Sequence, residues 1–98
     1  MLSIQFTDHA SEDLDKLITY TLEHWGAEQA SAYLDGLEAL IEKLAAHPKM
    51  GTPSDCLSQN ILAFPYQSHT IYYECDDQLL TVVRLLHSSM NPSIHIHS

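Results

Sequence analysis

The sequence predicts one α+β domain in which a hairpin of two helices packs on one face of a small, mostly antiparallel sheet. Three patterns carry this prediction: an alternating apolar segment at the start, two helical-period segments joined by one glycine, and further alternating segments in the second half. A chain of 98 residues buries enough surface for one core, so residues 1–98 are expected to form a single domain. The predicted element order is β-α-α-β-β-β, with a short C-terminal turn or helix.

The first strand and the first helix are separated by a change of period. Apolar side chains alternate over residues 2–6, which predicts a strand. Thr7 or Asp8 then offers a side-chain oxygen to cap a helix, and the apolar residues that follow recur every three or four positions as far as Trp25. Gly26 supplies the stop.

The second helix begins directly after this glycine, around Ala27 or Glu28, and Pro48 marks its end. Because one glycine leaves no room for a long connection, the two helices are expected to fold back on each other. Their shared apolar face then needs a sheet to cover it. A sheet with a single helical layer is also expected to leave its other face and at least one edge uncovered.

The second half begins with a loop and continues with strands. Residues 49–55 have loop composition, and the apolar residues within 57–64 predict a strand that Pro65 ends. Two alternating segments follow, with Asp76 and Asp77 supplying the turn between them, because short acidic side chains bond the local backbone.

Alternation within this last hairpin predicts which side chains share a face. Ile71 and Tyr73 lie together on the first strand. On the second strand, alternation predicts that one face carries Leu80, Val82, Arg84 and Leu86. The other face is predicted to carry Leu79, Thr81, Val83 and Leu85. The hairpin delivers Arg84 and His87 to one end of the sheet, which makes them the leading candidates for chemistry or recognition.

The charge of the chain is strongly acidic. Four lysines and arginines stand against thirteen aspartates and glutamates, which gives a formal net charge of −9. Proteins bind nucleic acid mainly by neutralising phosphates with lysine and arginine, so direct nucleic-acid binding is not expected.

The compartment is indicated by cysteine content and hydropathy. Cys56 and Cys75 are the two cysteines, so no disulfide scaffold is required and a cytoplasmic location is expected. No run approaches the ~18 apolar residues that a membrane-spanning helix needs, so no membrane association is expected.

Five short motifs occur once each, in a characteristic order, along nearly the whole chain. They are F-T-x-x-A-x-x-D-L (Phe6, Thr7, Ala10, Asp13, Leu14), W-G-x-E-Q-A (Trp25, Gly26, Glu28, Gln29, Ala30), H-P-x-x-G (His47, Pro48, Gly51), F-P-x-x-S-H-x-I-x-Y (Phe64, Pro65, Ser68, His69, Ile71, Tyr73) and V-R-L-L-H-x-x-M (Val83, Arg84, Leu85, Leu86, His87, Met90). Together they resemble the RelE/ParE toxin superfamily. The last motif resembles the ParE branch in particular.

This resemblance implies a toxin of a type II toxin–antitoxin system, neutralised by a cognate antitoxin that an adjacent gene encodes. ParE members are associated with inhibition of DNA gyrase, whereas RelE members cleave messenger RNA on the ribosome. The ParE assignment implies no catalytic residues, no cofactor and no metal. A ribonuclease of the RelE type is the alternative, with Arg84 and His87 as its catalytic pair and Lys49 as a distant contributor.

One departure from the ParE pattern keeps a third interpretation open. Many relatives carry arginine or lysine in the loop after the glycine, where this chain has Thr52, Pro53, Ser54 and Asp55. Because engagement of an anionic target needs cations, the chain is alternatively an inactive member that only binds antitoxin.

Two sets of binding residues follow from these interpretations. The candidates for contact with the target are Trp25, His69, Tyr73, Arg84, His87 and Met90. The candidates for contact with the antitoxin lie on the apolar faces of the helices and are Leu14, Ile18, Tyr33, Leu37 and Ile41.

Several of these residues also have a purely structural interpretation. Arg84 is positioned to pair with an acid such as Glu74 across the hairpin, and His69 and His87 are positioned to bond backbone groups at the end of the sheet. Trp25 is positioned to plug the open end of the helical hairpin.

The tail carries two further histidines, His95 and His97, at a spacing that suits a metal ion only if a strand forms there. With no carboxylate or cysteine beside them, we predict a disordered tail and no metal site.

Overall fold

The structure, a computed structural model, describes residues 1–53 and 60–87. It confirms the predicted α+β architecture, with two helices packed on a mostly antiparallel sheet. The elements are β1 (Ser3–Phe6), α1 (Asp8–Trp25), α2 (Ala27–Ala46), a short 3₁₀ helix (Pro48–Met50), β2 (Thr52–Pro53), β3 (Leu62–Tyr66), β4 (His69–Cys75) and β5 (Leu79–His87).

The sheet has five strands in the order β1-β5-β4-β3-β2. β1 runs parallel to β5, and the other neighbours are antiparallel. The sequence predicts four strands, and the additional strand is β2, which lies in the segment predicted to be a loop. It consists only of Thr52 and Pro53, paired with Ala63 and Leu62 of β3, and two residues are too few to show a period.

The helix ends confirm the predicted capping residues. The Thr7 hydroxyl accepts a hydrogen bond from the Ala10 amide at 3.1 Å, which satisfies an amide at the start of α1. Gly26 has a φ of 85° between the helices, a conformation that other residues adopt only with strain. The turn before β5 is also confirmed, because the Asp76 carboxylate accepts hydrogen bonds from the amides of Gln78 and Leu79 at 2.8 Å each.

Pro65 does not end its strand, contrary to the prediction. β3 continues to Tyr66, with Pro65 opposite Thr70 of β4. β2 pairs only with Leu62 and Ala63, so Pro65 lies where β3 forms the edge of the sheet among the described residues. A proline is tolerated there because no neighbouring strand requires its missing amide hydrogen.

Tyr73 is part of the core, and the proposal that it contacts a target is therefore wrong. Its side chain is 0% exposed, between the sheet and the helices. The Tyr73 hydroxyl donates to the Pro48 carbonyl and accepts from the Gly51 amide, both at 2.9 Å. A Cβ atom at residue 51 would collide with this ring, so glycine is required for the loop to approach the sheet.

A β-bulge in β5 overturns the predicted division of its side chains. Tyr73 pairs with Val82 and Tyr72 pairs with Arg84, so Val83 is an extra residue in the ladder. Beyond the bulge the faces exchange. Leu85, and not Leu86, therefore joins the core beneath the helices.

The sheet face opposite the helices is less open than predicted. A second cluster of buried side chains lies there, formed by Ile61, Tyr72 and Leu86, which are 4%, 8% and 1% exposed. The main core lies on the other face, between the sheet and the two helices. Its buried members are Ala10, Leu17, Leu37, Ile41, Leu44, Ala45, Ile71, Tyr73, Leu80, Val82 and Leu85.

Asp13 ties α1 to β5 through a charged contact. Its carboxylate accepts hydrogen bonds from Nε and Nη2 of Arg84 at 2.7 and 3.0 Å, and from the Leu85 amide at 3.0 Å. The two side chains are only 9% and 14% exposed. The hydrogen bonds that the Arg84 guanidinium donates to the Asp13 carboxylate raise the pKa of that guanidinium. Arg84 thus pairs with Asp13 of α1, where the structural interpretation had suggested Glu74.

Thr7 supports the same edge of β5. Its amide donates to the Val82 carbonyl at 3.0 Å, and its hydroxyl donates to the Val83 carbonyl at 2.8 Å. β1 ends at Phe6, so these contacts and the one from Asp13 satisfy backbone groups of β5 that no strand reaches on this side.

We expect Asp13→Asn to lower the free energy of unfolding by about 2–3 kcal/mol, because it removes the charge-assisted bonds to Arg84 in a nearly dry position. Asp15→Asn, an exposed neighbour on the same helix, is the matched control and should change stability by no more than about 0.5 kcal/mol. Urea denaturation of both variants measures the difference. Equal stability of the two variants would show that the Asp13 contact does not hold α1 in place.

Candidate functional site

An apolar groove opens between the two helices and β1, with a volume of about 370 Å³. We call it the helical groove. Its polar lining is limited to Glu38 and Glu42, one helical turn apart on α2. Its apolar lining comes from β1 and both helices and consists of Ile4, Phe6, Leu14, Ile18, Leu34, Leu37 and Ile41.

The helical groove brings together four of the five residues that the sequence suggests for antitoxin contact. Leu14 and Ile18 are partly exposed on α1. Leu37 and Ile41 line the groove from α2 but are only 3% and 5% exposed, because they also pack on the sheet. They can offer a partner only the floor of the groove. Tyr33, the fifth candidate, does not line it.

Tyr33 instead belongs to a polar and aromatic cluster at the other end of the helical hairpin. Its hydroxyl forms a hydrogen bond with Nδ1 of His69 at 2.8 Å, and its carbonyl accepts one from the Tyr66 hydroxyl at 2.7 Å. The His69 ring meets the His87 ring edge-on, with centroids 5.4 Å apart. The structure therefore joins Tyr33 to two of the residues suggested for target contact.

A second concavity, of about 320 Å³, lies beside these histidines, and we call it the histidine pocket. It is formed by α1, the start of β4 and the end of β5. Its lining shares no residue with the helical groove and comprises Asp13, Lys16, Leu17, Tyr20, His69, Leu85 and His87.

The pKa of His69 is lowered from its ordinary value of 6.5. Burial disfavours the charged ring, and the neighbouring His87 adds to this effect, while the Asp13 carboxylate opposes it. The neutral imidazole is thus the form that the folded chain favours.

Trp25 lies at the tip of the helical hairpin, between rings of both helices. Its ring lies 6.0 Å from Tyr20 of α1 and 5.6 Å from Tyr33 of α2, centroid to centroid. This packing agrees with a plug for the hairpin. The side chain nevertheless remains 38% exposed, and Tyr20 and Leu22 nearby are 50% and 48% exposed.

The described residues do not assemble the set of cations that a ribonuclease site requires. Lys16 is the one lysine or arginine that lines the histidine pocket, and the guanidinium of Arg84 is bonded to Asp13. Lys49 lies in the 3₁₀ helix and lines neither concavity.

The remaining expectations concern the C-terminal residues, metal binding and membrane-spanning helices. Met90, His95 and His97, and the predicted C-terminal turn, lie outside the described residues. Within 1–53 and 60–87, no three or more histidine, cysteine, aspartate or glutamate side chains are grouped to hold a metal ion. None of the helices in the same ranges has the length and hydropathy to cross a membrane.

Sequence reasoning missed Lys16, Tyr20, Glu38 and Glu42 as parts of these sites. Glu38 and Glu42 do carry a signal, since residues four apart on a helix share a face. Lys16 and Tyr20 have the same spacing on α1, but nothing local indicates that the start of β4 and the end of β5 lie beside them.

Comparison with known proteins gives one consistent result. A family model described as "ParE toxin of type II toxin-antitoxin system, parDE" matches residues 4–92. Toxin ParE1 of Caulobacter vibrioides is 35% identical over 96 residues, which cover 98% of this chain and 99% of that protein. Toxin ParE1 of Mycobacterium tuberculosis is 31% identical over 83 residues, which cover 84% and 85% of the two chains.

A solved structure has the same fold. It is a chain of the "Chromosomal ParDE TA system from P. aeruginosa", which superposes with a TM-score of 0.73 at 18% identity. The match covers 89% of this chain and 96% of the other.

Acidification should destabilise the fold partly through His69. Because its pKa is lower in the folded chain than the 6.5 of the unfolded chain, the unfolded state binds more protons as the pH falls through this window. Stability that is present above pH 6.5 is therefore lost below it. We expect His69→Gln to lose less stability than the parent between pH 7.5 and pH 5.5, measured by urea denaturation at both values.

His9→Gln is the control for this measurement, because His9 is exposed on the first turn of α1. It should lose as much stability on acidification as the parent. An identical loss in the parent and in His69→Gln would contradict the assigned role of His69.

Proposed function

The chain belongs to the ParE toxin family of type II toxin–antitoxin systems, and from this premise we propose that it arrests growth by inhibiting DNA gyrase without enzymatic activity of its own. A cognate antitoxin from an adjacent gene neutralises it by binding the helical groove, and the chain acts in the cytoplasm. The single observation that supports antitoxin binding is the helical groove itself, an apolar concavity on the outside of a small domain.

The chemistry of the helical groove suits an amphipathic helix. A groove lined almost wholly by aliphatic and aromatic side chains gains affinity by burying apolar surface, and helical ligands insert residues spaced three or four apart. Leu14 and Ile18 form one wall with the same spacing. The antitoxin segment is thus proposed to be a helix with one apolar face.

The rim of the groove adds a charge requirement. Glu38 and Glu42 present two carboxylates on one side of the concavity. A partner helix with lysine or arginine beside its apolar face complements them, whereas an acidic one is repelled. This charge requirement agrees with the net charge of −9 for the whole chain.

The proposal of a toxin without enzymatic activity rests on the scarcity of cations. Ribonuclease chemistry needs several positive groups around a phosphate, together with an acid and a base. The Arg84 guanidinium is bonded to Asp13, and Lys16 is, within the part of the chain that the structure describes, the one lysine or arginine that lines the pocket with His69 and His87. Such a site is better suited to holding a protein side chain than to stabilising a phosphorane.

Induction of the chain in a bacterium tests the cellular function. We expect growth arrest, loss of negative supercoiling in plasmid DNA and intact transcripts from the same culture. Co-expression of the adjacent gene should restore growth, and the two products should co-purify. Purified chain should inhibit gyrase in a supercoiling assay with relaxed plasmid.

Two results would contradict this function, each in its own way. Cleaved transcripts that disappear with Arg84→Ala would establish the ribonuclease alternative. Normal growth when the chain is induced alone, together with retained binding of the antitoxin by the purified chain, would identify an inactive member that only sequesters antitoxin.

The helical groove is tested separately by Ile18→Glu. A carboxylate in the apolar wall removes buried apolar contact and would lose its hydration against the apolar face of the ligand, so affinity for the antitoxin should fall at least about 30-fold, which corresponds to a hot-spot loss of about 2 kcal/mol. Isothermal titration calorimetry with purified antitoxin measures this change. Leu22→Glu, an exposed substitution on the same helix outside the groove, should leave the affinity unchanged.

Circular dichroism and urea denaturation of both variants establish that each is folded. If folded Ile18→Glu bound the antitoxin as tightly as the parent, the helical groove would not be the antitoxin site.

A further inference from the structure

The histidine pocket has a charge balance unlike the rest of the chain. Of its lining residues only Asp13 is acidic, and that carboxylate is already engaged by the Arg84 guanidinium and the Leu85 amide. Lys16 adds a positive charge, so Asp13, Arg84 and Lys16 together sum to +1. The whole chain carries −9. Acidic side chains also lie close by, since Glu12 interacts with Arg84, and Asp15 and Glu23 line an adjoining concavity together with Lys16. The lining of the histidine pocket itself is therefore less acidic than its surroundings.

The imidazole of His69 is fixed by a contact outside the histidine pocket. The Tyr33 hydroxyl forms a hydrogen bond with Nδ1 at 2.8 Å. We assign the hydroxyl as the donor, and this assignment places the proton of the neutral ring on Nε2. Nε2 is then a hydrogen-bond donor, and protonation of the ring preserves it as one. An acceptor that enters the pocket therefore meets a donor in either charge state.

The floor of the histidine pocket is apolar. Leu17 and Leu85 are each 5% exposed, and the Tyr20 ring stands at the side, itself stacked on His24 with ring centroids 4.1 Å apart. An apolar group gains from burial against these side chains, while a fully hydrated inorganic anion does not. The ligand best matched to this combination carries a carboxylate next to an apolar group.

We propose that the histidine pocket receives an aspartate or glutamate side chain, together with an adjacent apolar residue, from an acidic segment of a partner protein. The interface is a second one, because the pocket shares no lining residue with the helical groove and faces a different side of α1. The two surfaces can therefore be occupied independently, and this inference does not depend on antitoxin binding.

Binding of a carboxylate should strengthen on mild acidification. His69 favours the neutral form because of burial and the nearby His87, and an anion beside it stabilises the charged form. The other groups that face it are Asp13, Lys16 and Tyr20 from α1, Tyr33 from α2, and His87 from β5, with Arg84 behind Asp13.

The test uses two capped dipeptides that differ only in charge, acetyl-Leu-Glu-amide and acetyl-Leu-Gln-amide, titrated into the full-length protein and followed by NMR. We expect the glutamate peptide to shift the imidazole signals of His69 and His87, and we expect these shifts to saturate at millimolar peptide concentration. The glutamine peptide should bind at least 5-fold more weakly. Sodium acetate, which tests for a free-anion site, should bind at least 5-fold more weakly than the glutamate peptide.

Variants locate the binding on the protein. Lys16→Gln should lower the affinity for the glutamate peptide by about 2- to 5-fold, the range for a solvent-accessible ion pair. Lys43→Gln, at the far end of α2, should leave that affinity unchanged. His69→Gln should abolish the strengthening between pH 7.5 and pH 6.0. The amide signals of residues outside the pocket report that each variant is folded.

Three results would overturn the proposal. They are equal binding of the two peptides, binding of acetate as tight as that of the glutamate peptide, and the absence of saturable shifts in the parent protein. Each leaves the gyrase and antitoxin proposals untouched, because neither growth nor antitoxin affinity enters the measurement.

Discussion

The Asp13 carboxylate is the contact on which the remaining structure depends. It lies near the start of α1 and accepts hydrogen bonds from the side chain of Arg84 and from the backbone of Leu85, about seventy residues later in the chain. Both partners lie just beyond the bulge in β5, where β1 has ended. One side chain thereby neutralises a partly buried guanidinium, satisfies a strand amide that no neighbouring strand reaches and fixes the first helix on the sheet.

Both concavities follow from the position of this helix. On one side α1 forms the helical groove with α2 and β1, and on another it closes the histidine pocket against β4 and β5. The two surfaces differ in chemistry, since one is apolar with an acidic rim and the other combines imidazoles with a lysine. A small domain with a single layer of helices thus presents two concavities of different chemistry.

Local rules predict much of the fold. Period identifies both helices, Thr7 and Gly26 mark the ends of α1, and Asp76 makes the turn before β5, because each of these features depends on neighbours within a few residues. β2 escapes prediction because its two residues have no period of their own. The bulge at Val83 also escapes, since it arises from the pairing of two strands and has no signal in either one.

Local patterns indicate some of the candidate site residues, whereas others depend on contacts between distant segments. The apolar stripe of α1 includes Leu14 and Ile18, which line the helical groove, and their contact with an antitoxin stays a prediction. Alternation places Tyr73 on a strand without revealing that both sides of that strand are covered. The partnership of Arg84 with Asp13 joins two distant segments, so charge pairing across the hairpin wrongly favoured Glu74. Lys16 becomes part of a site only because distant strand ends lie beside it.

The parallel pairing of β1 with β5 joins the start of the chain to its last described strand. Local contacts such as the helix pair and the β3–β4 hairpin join neighbouring segments, whereas the first strand must wait for Leu79–His87 to leave the translating machinery. Ile4 and Phe6 of that strand line the helical groove, so the groove is incomplete on a nascent chain. A chain that ends before β5 therefore lacks the strand that holds Ile4 and Phe6 in the wall of the groove.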